Sequence, residues 1–269
     1  MRRFALLAAL PAVLVLAGCL KDTRVVKLNA DGSGTITTTT LMKTASLEKM
    51  KEMAKAFGGA EGKQPDLFSE EQAKAAAAKM GEGVEFVSCE KLKTADEEGL
   101  KAVYSFKDVS KLKVSDEPNA PETGMPTAPK GEKKAPITFK FAKQANGNSL
   151  LTIVNPDTKE FKKPEKEEKA EDQGDAQLGM MKEIFGGFKI CIQLEVAGKI
   201  VKTNTPHVNG STVTILEMDF DKMFADTEKF KKLSKAQPQS LEEAKALLKD
   251  FPGVKVCMEP EVTVEFSGN

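Results

Sequence analysis

The chain has 269 residues, of which 40% are apolar, and its 40 basic residues balance its 40 acidic residues. This length and apolar content favour one large globular domain, or two small ones, with a hydrophobic core. The balanced charge excludes the concentrated positive surface on which nucleic acid binding depends.

The first nineteen residues have the layout of a secretory signal peptide. Arg2 and Arg3 form a short basic start, residues 4–16 are almost all apolar, and small residues precede Cys19. The apolar run is shorter than the roughly 20 residues needed to cross a bilayer. A cleaved signal peptide over residues 1–18 is therefore favoured over an uncleaved membrane anchor with a chance cysteine.

The end of this segment resembles the lipobox of bacterial lipoproteins. In that motif the signal peptidase recognises the residues matching Leu16, Ala17 and Gly18, and the residue matching Cys19 receives a diacylglyceryl thioether. The resemblance implies a protein of the bacterial cell envelope that acyl chains hold on a membrane, facing the periplasm or the cell exterior. Residues 19–24 would form a lipidated tether, and residues 25–266 would form the ectodomain.

Alternating apolar positions and turn signals predict a mixture of strands and helices. The dipeptides Asp31-Gly32 and Asn146-Gly147 predict tight hairpins, and the motifs that begin at Ser69 and Ser240 are capping boxes that open helices. The predicted strands are 25–29, 34–43, 84–92, 100–107, 137–141, 149–154, 188–196, 199–203, 212–218 and 254–266, with Pro260 at an edge or a bulge of the last one. The predicted helices are one that Ser46 caps, one from 70 to about 80, 178–185, 221–233 and 241–251.

Two polar stretches interrupt these elements. Residues 114–136 and 155–175 are rich in charged residues or proline and poor in apolar residues, which predicts mobile excursions. The second stretch is more typical of a solvated segment than of a metal-binding loop, because its lysines compete for the carboxylates.

These elements predict an α+β fold with an antiparallel sheet and helices packed on one face. Residues 25–29 resemble residues 200–204, and residues 69–74 resemble residues 240–245. An internal duplication would give two β-β-α-α-β units, although capping boxes and strand starts that recur by chance explain the matches equally well.

Cys19 apart, the chain has three cysteines. Strand alternation places Cys89, Cys191 and Cys257 on the more polar faces of their strands, which suits a cross-strand disulfide. An odd number of thiols allows one disulfide or none. We expect either a Cys191–Cys257 disulfide or no disulfide, with similar weight on each.

Residues suited to catalysis are scarce. His207 is the sole histidine, so neither a His-centred triad nor a multi-histidine metal site can be built. Acid pairs such as Glu70-Glu71 stand in first helical turns, where they favour the helix dipole. A carboxylate-dependent hydrolase is the less favoured alternative, because the chain has no Trp and one Tyr to hold a sugar. We expect no catalytic residue, no metal and no cofactor.

The stretch 178–188 is the strongest candidate for a binding surface. Its apolar residues include the adaptable Met and Phe, and Gly186-Gly187 follows its helix. The candidate ligand or partner surface comprises Leu178, Met181, Ile184, Phe185 and Phe188. A helix that simply packs into the core is the more ordinary explanation of this spacing.

Two regions resemble the LppM-like bacterial lipoproteins. One is the lipobox followed by a strand and the turn at residues 31–34, and the other runs from Val196-Ala197-Gly198 through Asn209-Gly210 to Thr212-Val213-Thr214. The resemblance implies a helix-and-sheet ectodomain likened to lipid-binding helix-grip folds and thought to act on envelope lipids. We therefore expect a non-enzymatic lipoprotein that binds a lipid or another apolar ligand, or serves as an envelope interaction module. The alternative is a structural or assembly protein that docks an envelope partner through 178–188.

Overall fold

The computed structural model describes residues 20–56, 66, 68–117, 135–155, 175–236 and 238–268. The strands are β1 Leu20–Leu28, β2 Gly34–Lys43, β3 Glu85–Lys93, β4 Glu97–Phe106, β5 Lys113–Val114, β6 Ile137–Lys143, β7 Ser149–Val154, β8 Lys189–Val196, β9 Ile200–Thr203, β10 Val208–Asn209, β11 Thr212–Asp219, β12 Val254–Val256 and β13 Glu261–Phe266. The α-helices are α1 Thr44–Ala56, α2 Glu70–Lys79, α3 Asp175–Phe185, α4 Phe220–Ala225, α5 Thr227–Lys235 and α6 Leu241–Leu248, and a 3-10 turn spans Val109–Lys111.

The mixed α and β content that the sequence predicts is confirmed, but the strands form two sheets. The first sheet has the order β10-β11-β8-β1-β2-β4-β3, with β12 also paired to β11. Its two central strands, β1 and β8, are parallel, and the other pairs are antiparallel. A parallel pair requires a long crossover, and here the crossover includes strands of the second sheet. The expectation of one antiparallel sheet is therefore wrong.

The second sheet has the order β5-β6-β7-β13-β9 and is antiparallel throughout. It shares the main hydrophobic cluster with the first sheet and with α2. This cluster, which we call the main core, includes Val26, Tyr104, Ile192 and Leu194 from the first sheet, Leu151, Ile153 and Val264 from the second, and Ala73 and Ala77 from α2. The ectodomain is therefore organised around an interface between two sheets and a helix.

A second set of buried residues lies outside the main core and is built mainly from helices. We call it the helical cluster, and its buried members are Met223, Phe224, Phe230, Phe251 and Val254. Val254 belongs to β12, so this cluster is attached to the first sheet through β12 and β11.

Both hairpin predictions are confirmed. Asp31-Gly32 joins β1 to β2, and Asn146-Gly147 joins β6 to β7. The glycines have φ values of +91° and +85°, which side chains disfavour. Asp31 Oδ1 also accepts a hydrogen bond of 2.9 Å from the Ser33 main-chain nitrogen, which closes the first turn.

The strand predicted over 254–266 is in fact two strands in different sheets. Val254–Val256 pairs with β11, whereas Glu261–Phe266 pairs with β7 and β9. Pro260 lies in the connection between them, and its lack of an N–H explains the break.

The first helix begins at Thr44, directly after β2 ends at Lys43, so Ser46 lies inside α1 and is not its cap. The caps predicted for α2 and α6 are confirmed. Ser69 Oγ accepts a bond of 3.2 Å from Gln72 N, and Ser240 Oγ accepts one of 3.1 Å from Glu243 N.

The internal duplication stays a prediction. Ser69 and Ser240 cap helices that each precede a strand of the first sheet, as the matches require. The matched residues 25–29 and 200–204, however, belong to strands in different sheets.

Candidate functional site

Six strand ends lie together at one end of the first sheet, which we call the Leu20 end. Leu20 is only 3% exposed and packs with Met42 and Leu47, while Phe68 and Phe188 are half-buried against them. The ladder pairings bring together the termini Leu20, Lys43, Lys93, Glu97, Lys189 and Asp219. The predicted lipobox residues Leu16, Ala17, Gly18 and Cys19 lie outside the described residues and directly precede this end.

The predicted tether at residues 19–24 is wrong for its described part, because β1 begins at Leu20. The sequence conceals this because Asp22 and Arg24 look like solvent-exposed residues. They stand two residues apart on one face of β1, and both are buried. Arg24 Nη2 lies 2.7 Å from Asp22 Oδ2, and the guanidinium also donates to the main-chain carbonyls of Ser115 and Glu117. The opposite charges of Asp22 and Arg24 therefore compensate each other inside the fold.

The predicted excursions fall largely on residues 118–134 and 156–174, which are outside the described residues. The predicted start of the first excursion at residue 114 is wrong. Val114 is 2% exposed and lies in β5, where it pairs with Ile137 of β6.

The candidate binding surface at 178–188 is only partly exposed. Leu178, Met181 and Phe185 pack against the helical cluster, and the Phe185 ring stacks on Phe220 with centroids 5.1 Å apart. Phe188 contacts the same Phe220 ring edge-on at 5.5 Å, and Ile184 is half-buried. Met180, which the sequence analysis did not select, is 60% exposed. A binding role for this stretch stays a prediction.

The three described cysteines are free thiols, so the predicted Cys191–Cys257 disulfide is not formed. Strand β11 lies between β8, which carries Cys191, and the segment after β12, which carries Cys257. Burial, helped by the negative charge of Glu217, raises the pKa of the Cys191 thiol. Burial also raises the pKa of the Cys257 thiol, and a raised pKa disfavours the thiolate, which is the reactive form.

Two cysteines do not lie on the polar strand face that alternation predicted for them. A β-bulge between Phe86 and Ser88 shifts the register of β3, so Cys89 pairs with Ala102 and packs against the main core. Cys257 follows the last residue of β12 and is itself a member of the main core.

A groove with a volume of about 430 Å³ runs beside α6, and we call it the α6 groove. Leu248, Val256 and Met258 supply apolar wall, and its rim carries charged groups, among them Lys245 and Glu259. The Lys245 Nζ and Glu259 Oε1 atoms are 3.1 Å apart. Its size falls in the range of small-molecule sites, about 300–1,000 Å³.

His207, the sole histidine, lines the α6 groove. Nearby, the Thr205 hydroxyl lies 3.1 Å from Cys257 Sγ, which donates to the Thr214 carbonyl at 3.3 Å. These contacts hold the 205–207 turn against the segment that carries Met258, and so shape one side of the groove.

Two lysines neutralise the carboxylate of Glu217 on β11. Glu217 Oε2 lies 3.0 Å from Lys255, and its Oε1 lies 3.4 Å from Lys222. Burial opposes ionisation of Glu217, but the hydrogen bond and charge of Lys255 outweigh it and lower the pKa of the carboxyl. A carboxyl held ionised in this way is unsuited to act as a general acid.

Within the described ranges, no group of three or more His, Cys, Asp or Glu side chains is arranged to hold a metal ion. The helices in the part of the chain that the structure covers are too short or too polar to cross a membrane.

The α6 groove has no local signature in the sequence, because its wall residues come from three separate segments: α6, the 205–207 turn, and β12 with the connection after it. No local pattern joins these three segments. The spacing of Asp22 and Arg24 was an available signal, because an acid and a base two residues apart share one face of a strand. Their burial depends on the distant segment after β5.

No protein-family model and no curated protein matches the sequence. Among solved structures, the chain is similar to the NMR structure of the folded domain of LppM from Mycobacterium tuberculosis. The alignment covers 94% of this chain and 92% of that chain, with a TM-score of 0.33 and 8% sequence identity. A likeness this distant assigns no function.

Proposed function

We propose that this chain is a lipid-anchored protein of the bacterial cell envelope whose ectodomain binds a lipid or another apolar molecule without catalysing a reaction. The anchor is inferred from the lipobox pattern that ends at Cys19. The observation that carries the binding role is the α6 groove, because it combines an apolar wall with a polar rim.

The rim favours a particular kind of headgroup. The rim carries two lysines, Lys245 and Lys249, and two acids, Asp250 and Glu259, and Lys245 pairs with Glu259. Balanced charge gives no preference for a strongly anionic or cationic ligand. The ligand best suited to this groove is an amphiphile with an apolar chain and a neutral or zwitterionic head.

Native mass spectrometry of residues 20–269, after exposure to an envelope lipid extract, tests the binding role. The unmodified chain is expected to carry a lipid adduct. Ala246→Trp should abolish the adduct, because Ala246 is exposed on α6 and lines the groove. Ala78→Trp is the matched control, since Ala78 is also exposed but lies on α2. Absence of any adduct, or equal adducts in both variants, would contradict the proposal.

Docking of an envelope protein through α3 is a second candidate, favoured by the exposed Met180. Leu178, Met181 and Phe185 already pack internally, so a partner would have to bind around Met180 or displace α3. A photocrosslinker at position 180 discriminates the two functions in intact cells. A specific protein adduct supports docking, and its absence argues against it.

A further inference from the structure

We infer that the membrane faces one defined end of the ectodomain, the Leu20 end, with no flexible linker between bilayer and fold. This inference rests on the proposed lipidation of Cys19. It adds to that proposal an interaction surface and its partner, a lipid bilayer.

No linker residues separate the lipidated cysteine from the first strand. Leu20 follows Cys19 directly, and consecutive Cα atoms are about 3.8 Å apart. Leu20 pairs with Met42 in β2, and Lys21 pairs with Lys189 in β8, so the chain is held on both sides from its first described residues. The Leu20 side chain is 3% exposed. The Leu20 end therefore stays at the bilayer surface unless Leu20 leaves the sheet.

The chemistry of this end suits a bilayer surface without demanding anionic lipids. The half-buried rings of Phe68 and Phe188 flank Leu20, and Phe is one of the apolar residues that membrane-surface segments bury at the headgroup boundary. Three ion pairs lie at this end: Lys21–Glu97 and Lys93–Glu98 at 2.6 Å, and Lys189–Asp219 at 3.6 Å. Orientation is therefore set by the short anchor rather than by electrostatic attraction.

This orientation places the α6 groove near the bilayer. Val256 in the groove wall pairs with Leu216, which pairs with Ile192, which in turn pairs with Arg24. Arg24 is four residues from Leu20, or about 13 Å along β1. An amphiphile could thus enter the groove while part of it stays in the membrane.

Two exposed lysines on adjacent strands provide a matched pair of probes. Lys43 ends β2 at the Leu20 end and pairs with Glu97, the first residue of β4. Lys107 follows the last residue of β4, ten residues further, or about 33 Å away along the strand. Lys43→Cys and Lys107→Cys, each in a Cys89→Ser background, would carry an environment-sensitive fluorophore on the full-length lipidated protein.

The labelled proteins are reconstituted in phosphatidylcholine vesicles that contain a headgroup-quencher lipid. Quenching at position 43 should exceed quenching at position 107 several-fold, and added salt or phosphatidylglycerol should not change the ratio. Equal quenching, or stronger quenching at position 107, overturns the inference. Insertion of about ten Gly and Ser residues between Cys19 and Leu20 should bring the two signals together while the protein stays on the vesicles.

Vesicle flotation and the mass of the N-terminal peptide separate this inference from the proposed function. A protein that carries lipid at Cys19 and floats, yet quenches equally at both positions, refutes only the orientation. A protein without lipid at Cys19 refutes the proposed anchor and the orientation with it.

Discussion

Asp22 and Arg24 bring charge into the interior of the ectodomain, where both side chains are at most 3% exposed. Arg24 makes two contacts with the carboxylate, with Nε at 3.3 Å and Nη2 at 2.7 Å. Its bonds to the carbonyls of Ser115 and Glu117 attach the segment after β5 to β1. A buried pair of this kind adds little net stability, but removing one partner leaves the other charge uncompensated.

Asp22→Asn should therefore lower the free energy of unfolding by about 3–5 kcal/mol, because Arg24 would remain buried without its counter-charge. Urea denaturation measures this change. Lys27→Gln is the control, since it breaks the exposed Lys27–Glu195 pair at 3.2 Å and should cost less than about 1 kcal/mol. Similar losses in both variants would show that the buried pair is not held as described.

Cys257 makes the fold sensitive to alkaline pH. Burial raises the pKa of this thiol to about 11, although its bond with Thr205 acts in the opposite direction. The folded state thus holds the proton more tightly than the unfolded state does. The contribution of this thiol to the free energy of unfolding is fully present below about pH 9 and is lost as the pH rises towards 11.

Over that interval the wild type should lose about 3 kcal/mol more stability than Cys257→Ser, which keeps a hydroxyl for Thr205 but does not titrate. Denaturation curves at pH 8 and pH 11 measure the difference. Burial also raises the pKa of Tyr104, but that effect is common to both proteins and cancels in the comparison. Equal pH dependence in the two proteins would show that Cys257 is not buried as a neutral thiol.

Among the elements, β3 shows how a bulge changes what a strand exposes. β3 is an edge strand, and its bulge leaves Val87 55% exposed while it turns Cys89 towards the main core. Bulges at sheet edges also hinder pairing with other chains, because they distort the free row of backbone groups.

Deletion of Val87 should keep the flanking pairs Phe86–Tyr104 and Cys89–Ala102, and should change the free energy of unfolding by less than about 1 kcal/mol. The straightened edge should increase self-association, which light scattering would detect at raised protein concentration. Deletion of Val103 is the control for the change in the free energy of unfolding. β4 has neighbours on both sides, so this deletion disturbs its register with β2 and β3. Unchanged association would mean that the bulge does not protect this edge.

At the scale of the whole molecule, the two hydrophobic clusters should differ in cooperativity. The main core joins both sheets, whereas the helical cluster contains α4–α6 residues and touches the first sheet through β12. Regions with fewer links to the core can open without global unfolding.

Phe224→Ala should speed amide hydrogen exchange in α3–α6 and leave exchange in β1 and β8 close to wild type. Phe224 packs against Phe230 with ring centroids 4.8 Å apart, and loss of a buried Phe costs about 3–5 kcal/mol. Ile192→Ala in the main core should instead speed exchange in both regions. If Phe224→Ala also accelerates β1 and β8, the two clusters unfold as one unit.

Local patterns in the sequence determined the elements of this protein. The hairpins at Asp31-Gly32 and Asn146-Gly147 and the caps at Ser69 and Ser240 depend on residues within a few positions of one another. Turn conformation and capping are short-range effects, so the residue types alone are sufficient to predict them.

Only the tertiary structure decided which strands share a sheet, where β1 begins and where a binding groove forms. The parallel pairing of β1 with β8 joins residues about 170 positions apart, the burial of Asp22 with Arg24 needs the segment after β5, and the α6 groove needs three separate segments. Such contacts depend on how distant elements pack. Strand alternation does not predict them, because a single bulge, or a segment that passes from one sheet to the other, changes which face each side chain occupies.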